Sequence, residues 1–212
     1  MHHVIRILSK VAERYAPSRL LSFDLVHVFK TMQLLENQKK ISRSLLVEEL
    51  NLGEGSVKTL VKHMKMLGLI ENSHAGMWFT SKGKATYAKI YFSIPKEMEG
   101  PKCSIVLGKF NYAVLVKNIA YAIKSGIEQR DAAIKSGAIG ATTIVCSHGR
   151  LLMPNTHEDL FENDPKIHSL IVKKLEPEDN DVIIIGSSEN KRTAEMATKS
   201  AALHTIASHE KH

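Results

Sequence analysis

The sequence predicts an α+β protein in two parts: a winged helix-turn-helix over residues 1–95 and, past a linker at 96–102, a small layered α/β domain over 103–212. Three observations predict it. Two helices with apolar stripes flank the tight tract Asn51-Leu52-Gly53-Glu54, two strand-like segments follow them closely, and the second half alternates strand and helix signals.

The elements follow in order. Val4, Leu8, Val11 and Tyr15 recur at helical spacing among Arg6, Lys10, Glu13 and Arg14, which predicts an amphipathic helix ending near Ala16-Pro17. Its stripe suits its own domain or the same helix of a second chain. The next helix is expected from Ser22 to Glu36, with Leu25, Val28, Phe29, Met32 and Leu35 on one face, Ser22 as N-cap and Asp24 in the first turn. Ser42 caps a helix over Arg43–Leu50 that buries Leu46, Val47 and Leu50. Gly53 offers a positive φ to the turn. The helix from Gly55 to Leu67 buries Val57, Leu60, Val61, Met64 and Leu67, and Gly68 stands where a C-terminal glycine belongs. Leu69–Asn72 and Met77–Thr80 read as strands joined around His74-Ala75-Gly76. From Ser81 a helix returns, with Ala85, Ala88, Ile90 and Phe92. Two prolines and a glycine within Pro95–Lys102 mark the boundary.

In the second half Tyr112–Val116, Ala141–Cys146 and Asp181–Gly186 are strands, and Leu151–Met153 extends the sheet. Asp181–Gly186 is apolar throughout, as in a strand covered on both faces. Ile127–Lys135 is a helix with Ile127, Ile134 and Ala138 on one side, and Asn190–Leu203 is a helix whose Ala194, Ala197 and Ala201 allow close packing on a sheet. Asn118–Ser125 fits either state.

Composition narrows the class. The chain has 212 residues, is 43% hydrophobic and 24% charged, and carries a formal net charge of +7. It can bury a core, which argues against global disorder. Residues 1–100 hold 15 of the 29 Lys and Arg but only 9 of the 22 Asp and Glu, so the basic excess lies in the first half and suggests an anionic partner there. Cys103 and Cys146 are too few for a disulfide framework and read as free thiols. No apolar run has the length of a membrane span, and the apolar stretch at Val4-Ile5 is too short for a signal peptide, so a cytoplasmic location is expected.

The candidate chemistry lies on the second helix of the helix-turn-helix pair, which in this architecture enters the major groove. Lys58, Lys62 and Lys65 recur at steps of four and three and form one cationic ridge. Ser56, Thr59 and His63 place hydrogen-bonding groups beside it. Lysines on phosphate supply affinity, not sequence choice. The bland alternative for such a ridge is a solvated face.

Ile41–Val57 resembles the first elements of prokaryotic winged-helix repressors, Lys62–Glu71 their recognition-helix exit, and Phe79-Thr80-Ser81-Lys82-Gly83-Lys84 their wing exit. The resemblance covers about a third of the chain and implies duplex DNA as partner, with Ser56, Lys58, Thr59, Lys62 and His63 facing it. Lys82 and Lys84 would reach backbone. The short wing tip His74-Ala75-Gly76 departs from the pattern, since it carries no Lys or Arg. Gly126–Ala138 is similar to an uncharacterised archaeal family that pairs a winged helix with an α/β domain; that resemblance implies organisation but little chemistry.

In the second half, the turn at Gly186, Ser187, Ser188 and Asn190 is a candidate for ligand binding, because a strand-to-helix turn offers backbone N–H groups and hydroxyls to an anion. A plain helix cap is its bland alternative. Cys146, His148, His157 and His168 match no common zinc spacing, so no metal site is expected. No nucleophile–base–orienter set emerges, and neither a cofactor nor an enzymatic activity is expected. The acids Glu158, Asp159, Glu162 and Asp164 read as a solvated loop.

The expectation is therefore a transcription regulator that binds duplex DNA as a homodimer, with a second domain that senses a small-molecule effector or supplies the dimer contact. A different class stays open: an enzyme or binding protein for a small anionic metabolite, with the winged helix as a protein-contact module. A nucleoid or RNA-binding protein without a ligand is a third reading.

Overall fold

The computed structural model describes residues 2–13 and 21–209, with side chains from Ile5 onward. The chain divides after Tyr91 into two compact units. The Val4 side chain, Arg14, Tyr15 and the helix end expected at Ala16-Pro17 lie outside the described residues.

The first unit contains α1 (His2–Val11), α2 (Leu25–Gln38), α3 (Arg43–Leu50), α4 (Glu54–Met66), the strands β1 (Ile70–Ser73) and β2 (Gly76–Phe79), and most of α5 (Ser81–Ser93). This is the winged helix-turn-helix order. Leu8, Val28, Phe29, Met32, Leu35, Leu46, Leu60, Met64 and Leu69 are buried at its centre. The burial of each such side chain stabilises the fold by about 1.5–3 kcal/mol. Val47 and Leu67, expected among the buried positions, are half-buried.

Local chemistry sets each boundary. Asp24, not Ser22, caps α2: its carboxylate accepts from Val26 N–H at 3.1 Å, and the His27 side chain returns to the Asp24 backbone in a capping box. Burial raises the Asp24 carboxyl, but the hydrogen bond and charge of His27 outweigh it and hold the group below its ordinary value. Ser42 caps α3 as expected, accepting from Leu45 N–H at 3.1 Å. The left-handed residue of the turn to α4 is Asn51 at φ 53°, where Gly53 was expected; Gly53 takes φ −63° as the N-cap of α4. Asn tolerates the left-handed region better than other side chains do, which leaves Gly53 free of that duty. Gly68 (φ 67°) ends α4 in a Schellman turn, with Gly68 N–H on Lys65 O and Leu69 N–H on Met64 O.

β1 and β2 pair antiparallel with Ser73 opposite Gly76. Ile41 bridges Met77, so the segment before α3 adds a third line to this small sheet. Thr80 then starts α5: its hydroxyl donates to Gly68 O at 2.6 Å and accepts from Gly83 N–H at 3.0 Å. Gly83 packs directly on the end of the hairpin, where a Cβ would lie 1.9 Å from Leu69 O. The buried face of α5 is Thr86, Tyr87 and Ile90. Phe92 is 73% exposed, Ala85 is exposed, and Ala88 lies at the edge of a groove between α2 and α5.

The second unit is a five-stranded sheet in the order β3-β4-β7-β5-β6: β3 (Glu97–Glu99), β4 (Phe110–Val116), β7 (Val182–Ser188), β5 (Gly140–Ser147) and β6 (Arg150–Leu152). Every pairing is antiparallel. One face packs Ala113, Leu115, Ile144, Cys146, Ile183 and Ile185 against Phe161 and against Ile171 and Leu175 of α7 (Pro165–Leu175). The other carries α6 (Ile127–Lys135) and α8 (Lys191–His209). Helices on both faces explain why β7 is apolar along Val182–Ile185 although its neighbours run antiparallel.

Two expectations give way in this unit, and one helix appears for which no expectation was made. Residues 97–99, expected in a linker, form β3, because Met98 packs on the core while Glu97 reaches the buried Lys199 at 3.0 Å. The tract after the acidic loop is helical as α7, started by Asp164 as N-cap and Pro165. On α6 the buried residues are Gln129, Ala132 and Ala133, whereas Ile127 and Ile134 are exposed. The undecided stretch Asn118–Ser125 holds a single 3-10 turn at Ala120–Ala122. Among the described residues, no helix is long and apolar enough to cross a membrane.

Candidate nucleic-acid interface

Helix α4 turns Val57, Leu60, Val61 and Met64 inward. That packing forces Lys58, Lys62 and Lys65 onto one exposed ridge. Thr59 and Ser56 are half-buried on its flank, and the Thr59 hydroxyl donates within the helix to Gly55 O at 2.9 Å, leaving its oxygen as an acceptor. Met66 is 57% exposed on the same helix and offers an apolar group beside the cations.

His63 is not part of this face. It is 6% exposed, its Nδ1 donates to the Val11 carbonyl of α1 at 2.8 Å, and its ring meets Phe23 edge-on at 5.8 Å. The physical reason is α1, which covers the flank of α4 where residue 63 falls. Lys82 is likewise engaged: its Nζ donates to Leu67 O at 2.7 Å, neutralising the negative end of α4. Lys84 lines a separate groove with Glu36, Asn37, Lys39, Tyr87, Ala88 and Tyr91, between α2 and α5.

The structure adds residues that sequence reasoning passed over. Arg43, the first residue of α3, borders two grooves. One, about 580 Å³, runs between α3, Lys65 and the hairpin tip at Asn72–Gly76. The other, about 570 Å³, lies between α3 and the start of α4 and includes Lys58. Arg43, with Ser44 beside it, thus connects both ends of the lysine ridge. The signal was present, since an exposed Arg just after the N-cap Ser42 precedes the apolar stripe of α3. The hairpin tip, although uncharged, walls the first groove through His74 and Ala75.

The second-half candidate closes up. Gly186, Ser187 and Ser188 belong to β7 itself, not to a turn, and all three are buried. The Ser187 hydroxyl donates to Asn111 Oδ1 at 2.7 Å and accepts from Leu107 N–H at 3.3 Å. A Cβ on Gly186 would lie 2.2 Å from Thr198 Oγ1, so this glycine admits α8 rather than a ligand. Asn190 is the cap of α8, accepting from Thr193 N–H at 3.2 Å. The sheet is antiparallel, so its strands share no carboxyl edge at which to gather a ligand. Cys146 is 4% exposed in the core, and His168 contacts Gly149 O at 3.2 Å.

Residues 25–85 match the model described as PH0730-like, N-terminal domain, and residues 107–206 match a domain of unknown function, DUF4443. The solved structure of hypothetical protein PH0730 from Pyrococcus horikoshii OT3 is similar with a TM-score of 0.67 at 28% sequence identity, covering 87% of this chain and 91% of that one. No curated protein matches the sequence. The chain is thus similar in its first part to the PH0730-like N-terminal domain and in its second to DUF4443, in that order.

Proposed function

We propose that the protein is a DNA-binding transcription regulator in which α4 enters the major groove of duplex DNA. The observation that carries this reading is the exposed ridge of Lys58, Lys62 and Lys65, flanked by Thr59 and continued by Arg43 across two open grooves. The lysines neutralise phosphates, while Ser56, Thr59 and Met66 sit where base edges and thymine methyls are read. One recognition helix covers few base pairs, so the active form is a homodimer on paired half-sites, and the second unit supplies the dimer contact or an effector site.

The test is fluorescence anisotropy on duplex from upstream of the protein's own coding sequence, against a scrambled duplex, across a salt series. Wild type is expected to prefer the upstream duplex. Lys58→Ala/Lys62→Ala/Lys65→Ala is expected to weaken binding and to flatten the salt dependence by about 0.9 in slope for each phosphate that is no longer neutralised. Equal, feeble binding by both proteins would sink the reading. A monomeric mass in light scattering at micromolar concentration would sink the dimer.

A further inference from the structure

Three separate segments bring lysines to one end of the five-stranded sheet. Lys102 follows β3, Lys109 precedes β4, and Lys191 opens α8. With Glu99, Phe110 and Asn111 they line a cavity of about 270 Å³. Its floor is fixed. Asn111 is 7% exposed; its Oδ1 accepts from Ser187, and its amide donates to Gly108 O at 3.4 Å and Pro101 O at 3.5 Å, tying both loops to the sheet. Lys191 pairs with Glu99. No ion pair holds Lys102 or Lys109 among the described residues, and Lys109 Nζ lies 5.6 Å from the Phe110 ring. The cavity is therefore lined by three lysines and one glutamate, with Lys191 paired to Glu99 and Lys109 near the Phe110 ring.

We propose that this cavity binds a small organic phosphomonoester. A dianion matches the excess of two positive charges, and lysines arriving from three directions suit the oxygens of a tetrahedral group. The Phe110 ring offers an apolar surface to the organic part. The volume equals that of about nine waters at about 30 Å³ each, which admits a small metabolite and not a dinucleotide. The site gives the second unit a ligand and does not depend on whether α4 binds DNA.

The experiment is a ¹H–¹⁵N NMR titration of the full chain with phenyl phosphate, with inorganic phosphate and benzoate as comparators. Saturable shifts at the amides of Gly100, Lys109 and Asn111 are expected, with phenyl phosphate tighter than either comparator. Lys102→Ala/Lys109→Ala, at surface positions that leave the fold intact, is expected to weaken binding about tenfold or more, since it removes two of the three charge-assisted donors. Glu99→Gln is expected to strengthen it by removing the competing carboxylate. No saturation below about 10 mM, a concentration that already allows very weak complexes, overturns the proposal. So does unchanged affinity in the double lysine variant, and equal binding of inorganic phosphate overturns the assignment of an organic ester.

Discussion

His63 Nδ1 donates to the Val11 carbonyl across 2.8 Å, joining the end of α1 to the last turn of the helix that carries the lysine ridge. The two faces of α4 thus have separate duties one residue apart. Lys62 is exposed, and His63 is buried against α1 and Phe23.

Substitution His63→Ala leaves that carbonyl without its donor and opens a cavity beside Phe23. We expect it to cost about 1–3 kcal/mol, the range for a lost buried hydrogen bond. Lys62→Ala should leave the urea midpoint unmoved. Equilibrium denaturation of both variants checks this, and equal midpoints for the two would contradict the division of α4 into an exposed face and a face packed on α1.

Arg43 is expected to behave as a member of the ridge. Arg43→Ala should lower DNA affinity about as much as one lysine substitution and reduce the salt slope by about 0.9. Lys84→Ala, in its separate groove between α2 and α5, should change neither. Anisotropy titrations of both single variants read the difference; a larger loss with Lys84→Ala would move the interface to the other side of the unit.

At Gly83 the constraint is steric. An added methyl would meet Leu69 O at 1.9 Å and the Phe79 ring at 2.8 Å. Neither the hairpin backbone nor the packed ring yields cheaply, so Gly83→Ala should destabilise by about 3 kcal/mol, the upper range for overpacking. Thermal unfolding followed by circular dichroism is the check. Full stability in this variant would mean that α5 seats differently against β1.

Alkaline pH should weaken the second unit. Burial pushes the Cys146 thiol from its ordinary 9.0 up to about 12, with Asp181 acting in the same direction. Burial also raises Tyr112, which faces Glu97 and Glu195. Burial alone would lower Lys117, but its bonds to Asp181 and Glu178 prevail and raise it. In each case the folded chain keeps a proton that the unfolded chain gives up earlier. Stability is therefore complete below the unfolded values and falls as pH rises toward the folded ones. The decline should begin near pH 9.0 with Cys146 and steepen as Tyr112 and Lys117 join. Urea midpoints measured at intervals from neutral to strongly alkaline pH should show it, and Cys146→Ala should flatten the first part. A level wild-type profile would contradict it.

What the sequence disclosed follows from how local each determinant is. Helices α3 and α4 were legible because Ser42, Gly68 and the apolar stripes are signals contained within a few residues. The burial of His63 was not, because on α4 it sits beside the ridge and only α1, distant in sequence, decides which flank is covered. β7 was legible as a strand, but its antiparallel neighbours were not, since helices on both faces produce the same apolar run in either direction. β3 hid because Glu97-Met98-Glu99 is short and charged, and its carboxylates make sense only once Lys199 and Lys191 of α8 are in place. The Gly186-Ser187-Ser188 tract looked like a turn because small polar residues usually mark one; here they let β7 run on beneath α8.

The outer strands β3 and β6 are three residues each. Such rims offer a neighbouring molecule only a few unpaired backbone groups, and Glu97 and Glu99 at one rim and Arg150 at the other set charge beside them. The layer is closed to growth by strand addition. Edge-to-edge stacking of this layer, the kind that leads to fibres, should therefore be disfavoured in the concentrated protein.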